Sequence, residues 1–187
     1  MENSMPSVKL SSKVTVDDYH RMLNKMDKDA IANLVVSRFT ERYLDPIESG
    51  TDTKSGFTIM AVCCLMIEAM ESFLQGLESS DGKSKKMFSS FFARENEFAT
   101  FSLVSAAFYK HIRCGILHQA ETTGGWLIHR KGPLHGQNKI NATAFAKALR
   151  KCLNTYADKL RSGPWESVEW DNLRKKMEFI CKNTEAP

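Results

Sequence analysis

Within "YKHIRCGILHQAETTGGW", residues 109–126, Lys110, His111, Arg113 and His118 stand in a nine-residue run threaded through apolar side chains. Arginine is a permanent cation that holds phosphate oxygens through two parallel N–H donors. Histidine near its ordinary pKa takes or gives a proton around neutral pH. Together they suit cleavage of an RNA backbone. The imidazole removes the proton of a 2′-hydroxyl, that oxygen attacks the adjacent phosphorus, and the guanidinium steadies charge on the non-bridging oxygens. The nucleophile belongs to the substrate, so no metal or other cofactor is called for. Arg113 is the candidate phosphate grip and His118 the candidate general acid/base, with Lys110 and His111 as candidate substrate contacts.

Spacing limits what one helix can do with these groups. His111 and His118, seven apart, share a face two turns apart. Arg113 lies five before His118, roughly 140° around the axis. A straight helix does not aim both at one point. Either the long guanidinium curls round the cylinder, or a symmetry mate across a two-fold axis completes the cleft. Gly115, small and mid-helix, is expected to allow such a mate close. Glu121, three after His118, is placed to orient its ring. "RKGPLH" repeats the Arg-to-His spacing with Arg130 and His135, but Gly132 and Pro133 mark a loop. Spacing without helical context is therefore not diagnostic.

The elements that must position these residues read as helices. "TVDDYHRMLNKM" starts one, with Thr15 as N-cap and acids in the first turn. "DAIANLVVSRFTERYLDPI" aligns Ile31, Leu34, Val35, Phe39 and Tyr43, and Pro46 is expected to end it. After the polar loop 48–56, residues 57–77 are apolar on nearly all sides and read as a buried central helix. Glu68 and Glu71 interrupt it; Glu68 is expected to be buried and paired, with Arg113 or Arg38. A short aromatic helix and a longer one reach about Ala120, and "TTGG" breaks the run. Residues 126–141 are irregular, with a short two-stranded ribbon and Trp126 as a packing anchor or a base-stacking platform. From Asn141 as N-cap to Gly163, Phe145, Leu149, Cys152, Tyr156 and Leu160 make an apolar stripe. Lys147, Arg150 and Lys151 face the other way, as a phosphate-tracking stripe should RNA bind. A final helix aligns Trp170, Leu173, Met177 and Ile180. The expected fold is an all-α bundle of about six helices in a single domain over 1–187, with 1–13 loose and the core at about 15–182.

The motif segment and the helix ending "IEAMESF" carry a likeness. "GFTIMAVCCLMIEAMESF" followed by "FYKHIRCGILHQAETTGGW" resembles the HEPN superfamily, whose mark is Arg, four to six residues, then His on a helix of an all-α domain. Within it, the chain is similar to a HEPN-like family of bacterial and plasmid-encoded proteins, over about Ser37 to Leu160. The resemblance implies a two-fold homodimer in which Arg113 and His118 of both subunits form one cleft. It implies metal-independent RNase activity in phage defence, toxin–antitoxin or abortive-infection systems, with RNA as substrate and an antitoxin or regulatory protein as a further partner. Many HEPN-like proteins instead bind nucleotide, RNA or protein without catalysis. Two positions depart from the pattern. Cys114 stands where these nucleases usually carry Asn, Asp or His beside the arginine, a supporting position. Ala120 stands where toxins paired with a nucleotidyltransferase carry Tyr, so modification there is not expected.

Charge and cysteine usage set the setting. Net charge is +4, but residues 130–182 hold 12 Lys/Arg against 5 Asp/Glu, compatible with a polyanionic ligand. Five cysteines, without a C-x-x-C pair, fit buried reduced thiols in a cytoplasmic protein better than a disulfide framework. His111, His118, His129 and His135 form no helical pair at i and i+4, so no metal site is expected. "MENSMPSVKLSS" has no apolar stretch of a secretory leader. "IMAVCCLMI" is too short to span a bilayer, so no membrane is expected as a partner.

Overall fold

The computed structural model describes residues 8–49 and 55–185. Among them the chain is an all-α bundle of seven helices with one small sheet. Helix α1 is Val16–Asn24, opened by a reciprocal cap: Asp18 N donates to Thr15 Oγ1 at 3.2 Å and Thr15 N donates to Asp18 Oδ2 at 2.9 Å. Helix α2, Lys28–Phe39, runs on through a π turn, Thr40–Leu44, into Asp45–Glu48. Pro46 therefore does not end it. The wider π turn loosens the hydrogen-bond ladder just where the proline ring would strike a carbonyl.

Helix α3, Gly56–Gln75, is the central element and packs against α6, Ala142–Ser162, and α7, Val168–Glu185. By length and composition alone it is apolar enough to cross a membrane, yet more than half of that window is buried inside the bundle. It ends at Gly76 in the left-handed conformation (φ 63°), which a residue without Cβ adopts freely. Helix α4, Ser84–Arg94, leads through a 3-10 segment, Asn96–Val104, into α5. Helix α5 joins Ser105–Phe108, a π turn at Tyr109–Arg113, and Cys114–Gln119.

Phenylalanines from four of these segments hold α5 in place. Phe88, Phe91, Phe92, Phe98, Phe101, Phe108 and Phe145 are all buried. Phe108 of α5 lies flat on Phe145 of α6 at 5.6 Å and meets Phe101 edge-on at 5.5 Å. Burying each ring contributes up to about 3 kcal/mol, so the motif helix is anchored by apolar burial rather than by its polar residues.

After α5 the chain forms three strands, β1 Leu127–His129, β2 His135–Gly136 and β3 Lys139–Asn141. The third strand is central, parallel to β1 and antiparallel to β2, so the expected two-stranded ribbon has one strand more. Trp126 is a packing anchor, buried against His135 with nearly parallel rings 5.6 Å apart.

Two boundaries differ from the sequence reading. Residues 1–7 and 50–54 lie outside the described residues, but 8–13 is not loose. Leu10 is fully buried, its N–H reaches Val14 O at 2.8 Å, and Ser12 Oγ donates to Glu41 Oε1 at 2.7 Å. The core therefore begins at Leu10, because one apolar residue in a polar stretch plugs the bundle where α1 meets α2.

Candidate functional site

Arg113 sits at the end of the π turn, its side chain 18% exposed. Its Nε donates to Glu68 Oε1 at 2.9 Å, and Ser84 Oγ donates to Glu68 Oε2 at 2.7 Å. Glu68 of α3 thus ties α5 to the start of α4. The guanidinium also lies over the Tyr109 ring, 5.6 Å from its centre. Among the described residues, Glu68 is its carboxylate partner, and the contact is through Nε. Among the described residues neither Nη group donates to a carboxylate. Partial burial pulls the guanidinium's pKa down; the Glu68 hydrogen bond and charge more than offset this, leaving it above its ordinary value.

Beside Arg113 lies a small cavity of about 90 Å³ walled by Ala61, Cys64, Leu65, Glu68, Ile116 and Leu117. His118 does not line it; its side chain is exposed at the last turn of α5. Cys114–Gln119 is regular α-helix, so the wide angle between positions 113 and 118 persists. One subunit does not bring the two candidate catalytic residues into one cavity.

The neighbouring candidates serve the local structure. Glu121 does not orient His118. Helix α5 stops at Gln119 and Ala120 turns left-handed (φ 53°), so the three-residue helical spacing is lost. The Glu121 carboxylate accepts instead from Thr122 N at 2.8 Å. His111 is half-buried, its Nδ1 2.8 Å from Thr123 Oγ1 and its carbonyl accepting from Thr123 N at 3.0 Å. It clamps the "TTGG" loop rather than facing a substrate. A Cβ on Gly124 would come within 2.5 Å of that ring, which explains a glycine there. Gly115 is turned toward the same loop: a Cβ would lie 2.6 Å from Glu121 O. Its smallness serves the chain's own return, not a symmetry mate.

Lys110 is exposed and lines a separate cavity with Lys85, Tyr109 and Cys114. Cys114, half-buried, raises the Tyr109 pKa by hydrogen bonding, after burial of that hydroxyl, the larger cause. The basic stripe on α6 is largely neutralised. Arg150 donates to both Glu48 oxygens, at 3.1 and 2.8 Å, and Lys151 Nζ lies 3.3 Å from Glu97 Oε2. Lys147 is exposed and has no ion pair among the described residues. None of the three lines the cavity at Arg113.

Of the two acids on α3, Glu71 is the fully buried one. It holds both Nη groups of Arg94 and the amide of Gln75. Neither acid pairs with Arg38. Two contributors to the site escape sequence reading: Ser84, which fixes the second oxygen of Glu68, and Tyr109, under the guanidinium. Serine at a helix start carries no signal for a partner sixteen residues away. Among the described residues no group of three His, Cys, Asp or Glu is gathered as for a metal ion. No family model, curated protein or solved structure matches the chain.

Proposed function

We propose that this protein is a HEPN-type, metal-independent RNA endonuclease that works as a two-fold homodimer. The observation that carries the reading is the state of Arg113: a guanidinium positioned through Nε, neither Nη group donating to a carboxylate among the described residues, beside a cavity. A composite cleft accounts for the separation of Arg113 from His118 within one subunit. Leu65 and Leu117 stand 57% and 59% exposed beside Arg113, and Phe57, Ala61 and Leu65 continue one stripe of α3. Such a face supports close contact with a second copy around the arginine.

In the reaction, His118 takes the proton of a ribose 2′-hydroxyl, and its oxygen forms a bond to the adjacent phosphorus. Arg113 holds the non-bridging oxygens as charge develops there. The bond from phosphorus to the 5′-oxygen breaks, and the leaving oxygen takes up a proton from the protonated imidazole, which returns His118 to its neutral form. The products are a 2′,3′-cyclic phosphate and a 5′-hydroxyl. By the same resemblance the activity belongs to phage defence or to a toxin restrained by a partner protein, in the cytoplasm.

One observation favours a second reading. His118 has no hydrogen-bond partner among the described residues, whereas a working base is generally oriented by one. In that reading the same cleft binds nucleotide, RNA or a protein without cutting. Incubation of mixed RNA in EDTA separates the two, with wild type beside Arg113→Ala and His118→Ala and analysis of the product ends. Cyclic-phosphate ends that vanish in both variants support the nuclease. A folded wild-type dimer that cuts none of several RNA classes supports the binding module, and cleavage retained by His118→Ala overturns the assignment.

A further inference from the structure

A larger cavity, about 540 Å³, opens on the other side of Glu68, between α2, α3 and α7. Three cations line it: Arg38 and Arg42 from α2, and Lys176 from α7. None has a carboxylate partner among the described residues. Their anchors are backbone carbonyls. Arg38 Nη1 and Arg42 Nη2 donate to the same oxygen, Leu10 O, at 2.7 and 3.1 Å, and Lys176 Nζ donates to Glu78 O at 2.9 Å. Two guanidiniums sharing one neutral acceptor is costly without an anion.

Two acids border the cavity. Glu68 is already engaged by Arg113 and Ser84, and Glu78 lies exposed at the rim. Positive charge therefore exceeds negative within it. The floor is apolar: Phe39 and Phe73 are buried with ring centres 5.2 Å apart, and Lys176 Nζ lies 5.4 Å from the Phe179 ring centre.

We propose that this cavity binds a small organic phosphate, its anionic end among Arg38, Arg42 and Lys176 and its apolar body on Phe39, Phe73 and Phe179. A phosphate dianion matches the surplus charge better than a single carboxylate, and the aromatic floor has room for a ring. The electrostatics agree. Burial, and then the charge of Arg42, lowers the Arg38 pKa to about 10, and burial, then the charge of Arg38, lowers that of Lys176. A bound dianion removes the mutual repulsion. The site shares Leu65 and Glu68 with the Arg113 cavity, but its cations include neither Arg113 nor His118, so phosphate binding here does not require the nuclease activity.

Titration calorimetry of the full chain with phenyl phosphate, inorganic phosphate and uncharged benzyl alcohol tests it. Phenyl phosphate is expected to bind one to one, more tightly than either of the others. Arg42→Gln and Lys176→Gln should each weaken it by about tenfold or more. These positions are chosen over Arg38, which is half-buried where Arg42 is exposed and makes the shorter of the two bonds to Leu10 O, and each variant is checked for cooperative unfolding. Lys159→Gln, which removes an exposed cation on α6, should bind as wild type does. No binding by the wild type at millimolar concentration overturns the proposal, as does equal weakening by Lys159→Gln or unchanged affinity in the two pocket variants. Inorganic phosphate binding as tightly as phenyl phosphate overturns the aromatic floor as part of the site.

Discussion

At the scale of single residues, this protein separates charges that hold the fold from charges held ready. Glu71 is wholly buried and satisfied by Arg94 and Gln75. Replacing it by Ala leaves both Nη groups of Arg94 without their acceptor, while its Nε keeps Glu95 at 3.0 Å, and the loss is expected at about 3 kcal/mol, read as a lower urea midpoint. The hydroxyls of Tyr19 and Tyr156 are buried with no hydrogen-bond partner among the described residues. Tyr156→Phe removes an unpaid desolvation cost, so unfolding experiments should find the variant as stable as wild type or about 1 kcal/mol more so. A clear loss would mean that the hydroxyl is engaged. Gly124 is left-handed and pressed against His111, so Gly124→Ala should destabilise by about 1–3 kcal/mol and free the His111 ring.

At the scale of elements, two joints decide where the motif helix points. Asn141 Oδ1 caps α6 by accepting from Ala144 N at 3.0 Å, while its Nδ2 donates to Gly132 O at 2.7 Å. One side chain thereby starts a helix and closes the sheet loop, and Asn141→Ala should cost about 1–2 kcal/mol in thermal or urea unfolding. The second joint is His135 of β2, stacked on Phe101 at 4.4 Å and on Trp126. Burial, opposed by a backbone hydrogen bond at Thr100, lowers its pKa from 6.5. The fold thus resists a proton that the unfolded chain accepts freely. This contribution is complete above about pH 6.5 and is lost as pH falls through the folded pKa. Urea midpoints at about pH 7.5 and pH 5.5 should differ less in His135→Gln than in wild type; an equal difference would show that His135 is not the group responsible.

At the scale of the whole molecule, the thiols and the exposed apolar face give separate readouts. Of the five cysteines, Cys114 is the one not buried. A thiol reagent should modify Cys114 first and the other four together on unfolding, with no disulfide-linked species on a non-reducing gel. The stripe of Phe57, Ala61 and Leu65 with Leu117 is the face on which the dimer reading depends. Leu65→Lys with Leu117→Lys should leave a folded monomer by light scattering, with RNA cleavage lost. A double variant that stays dimeric would place the two-fold elsewhere.

Periodicity and caps in the sequence determined the helical class, the central apolar helix, the Thr15 and Asn141 caps and the burial of most cysteines, because each follows from neighbours within a few turns or from composition. The pairing of Glu68 with Arg113 was legible in part, since a carboxylate on an apolar helix needs a cation. The rest depended on contacts distant in sequence. The π turns at Thr40–Leu44 and Tyr109–Arg113 leave no local signature, and the first carries α2 past its proline. Leu10 looked like part of a loose end until α1 and α2 closed over it. His111 and Glu121 looked like site residues until the loop after α5 folded back onto one and the left-handed end of α5 turned the other aside. Arg150 and Lys151 looked like a free basic face until carboxylates more than fifty residues away came to meet them. Arg38, Arg42 and Lys176 converge for the same reason: α3 packs against α7 and against the π turn of α2, and only that packing sets α2 and α7 across one cavity and decides which charges meet a carboxylate.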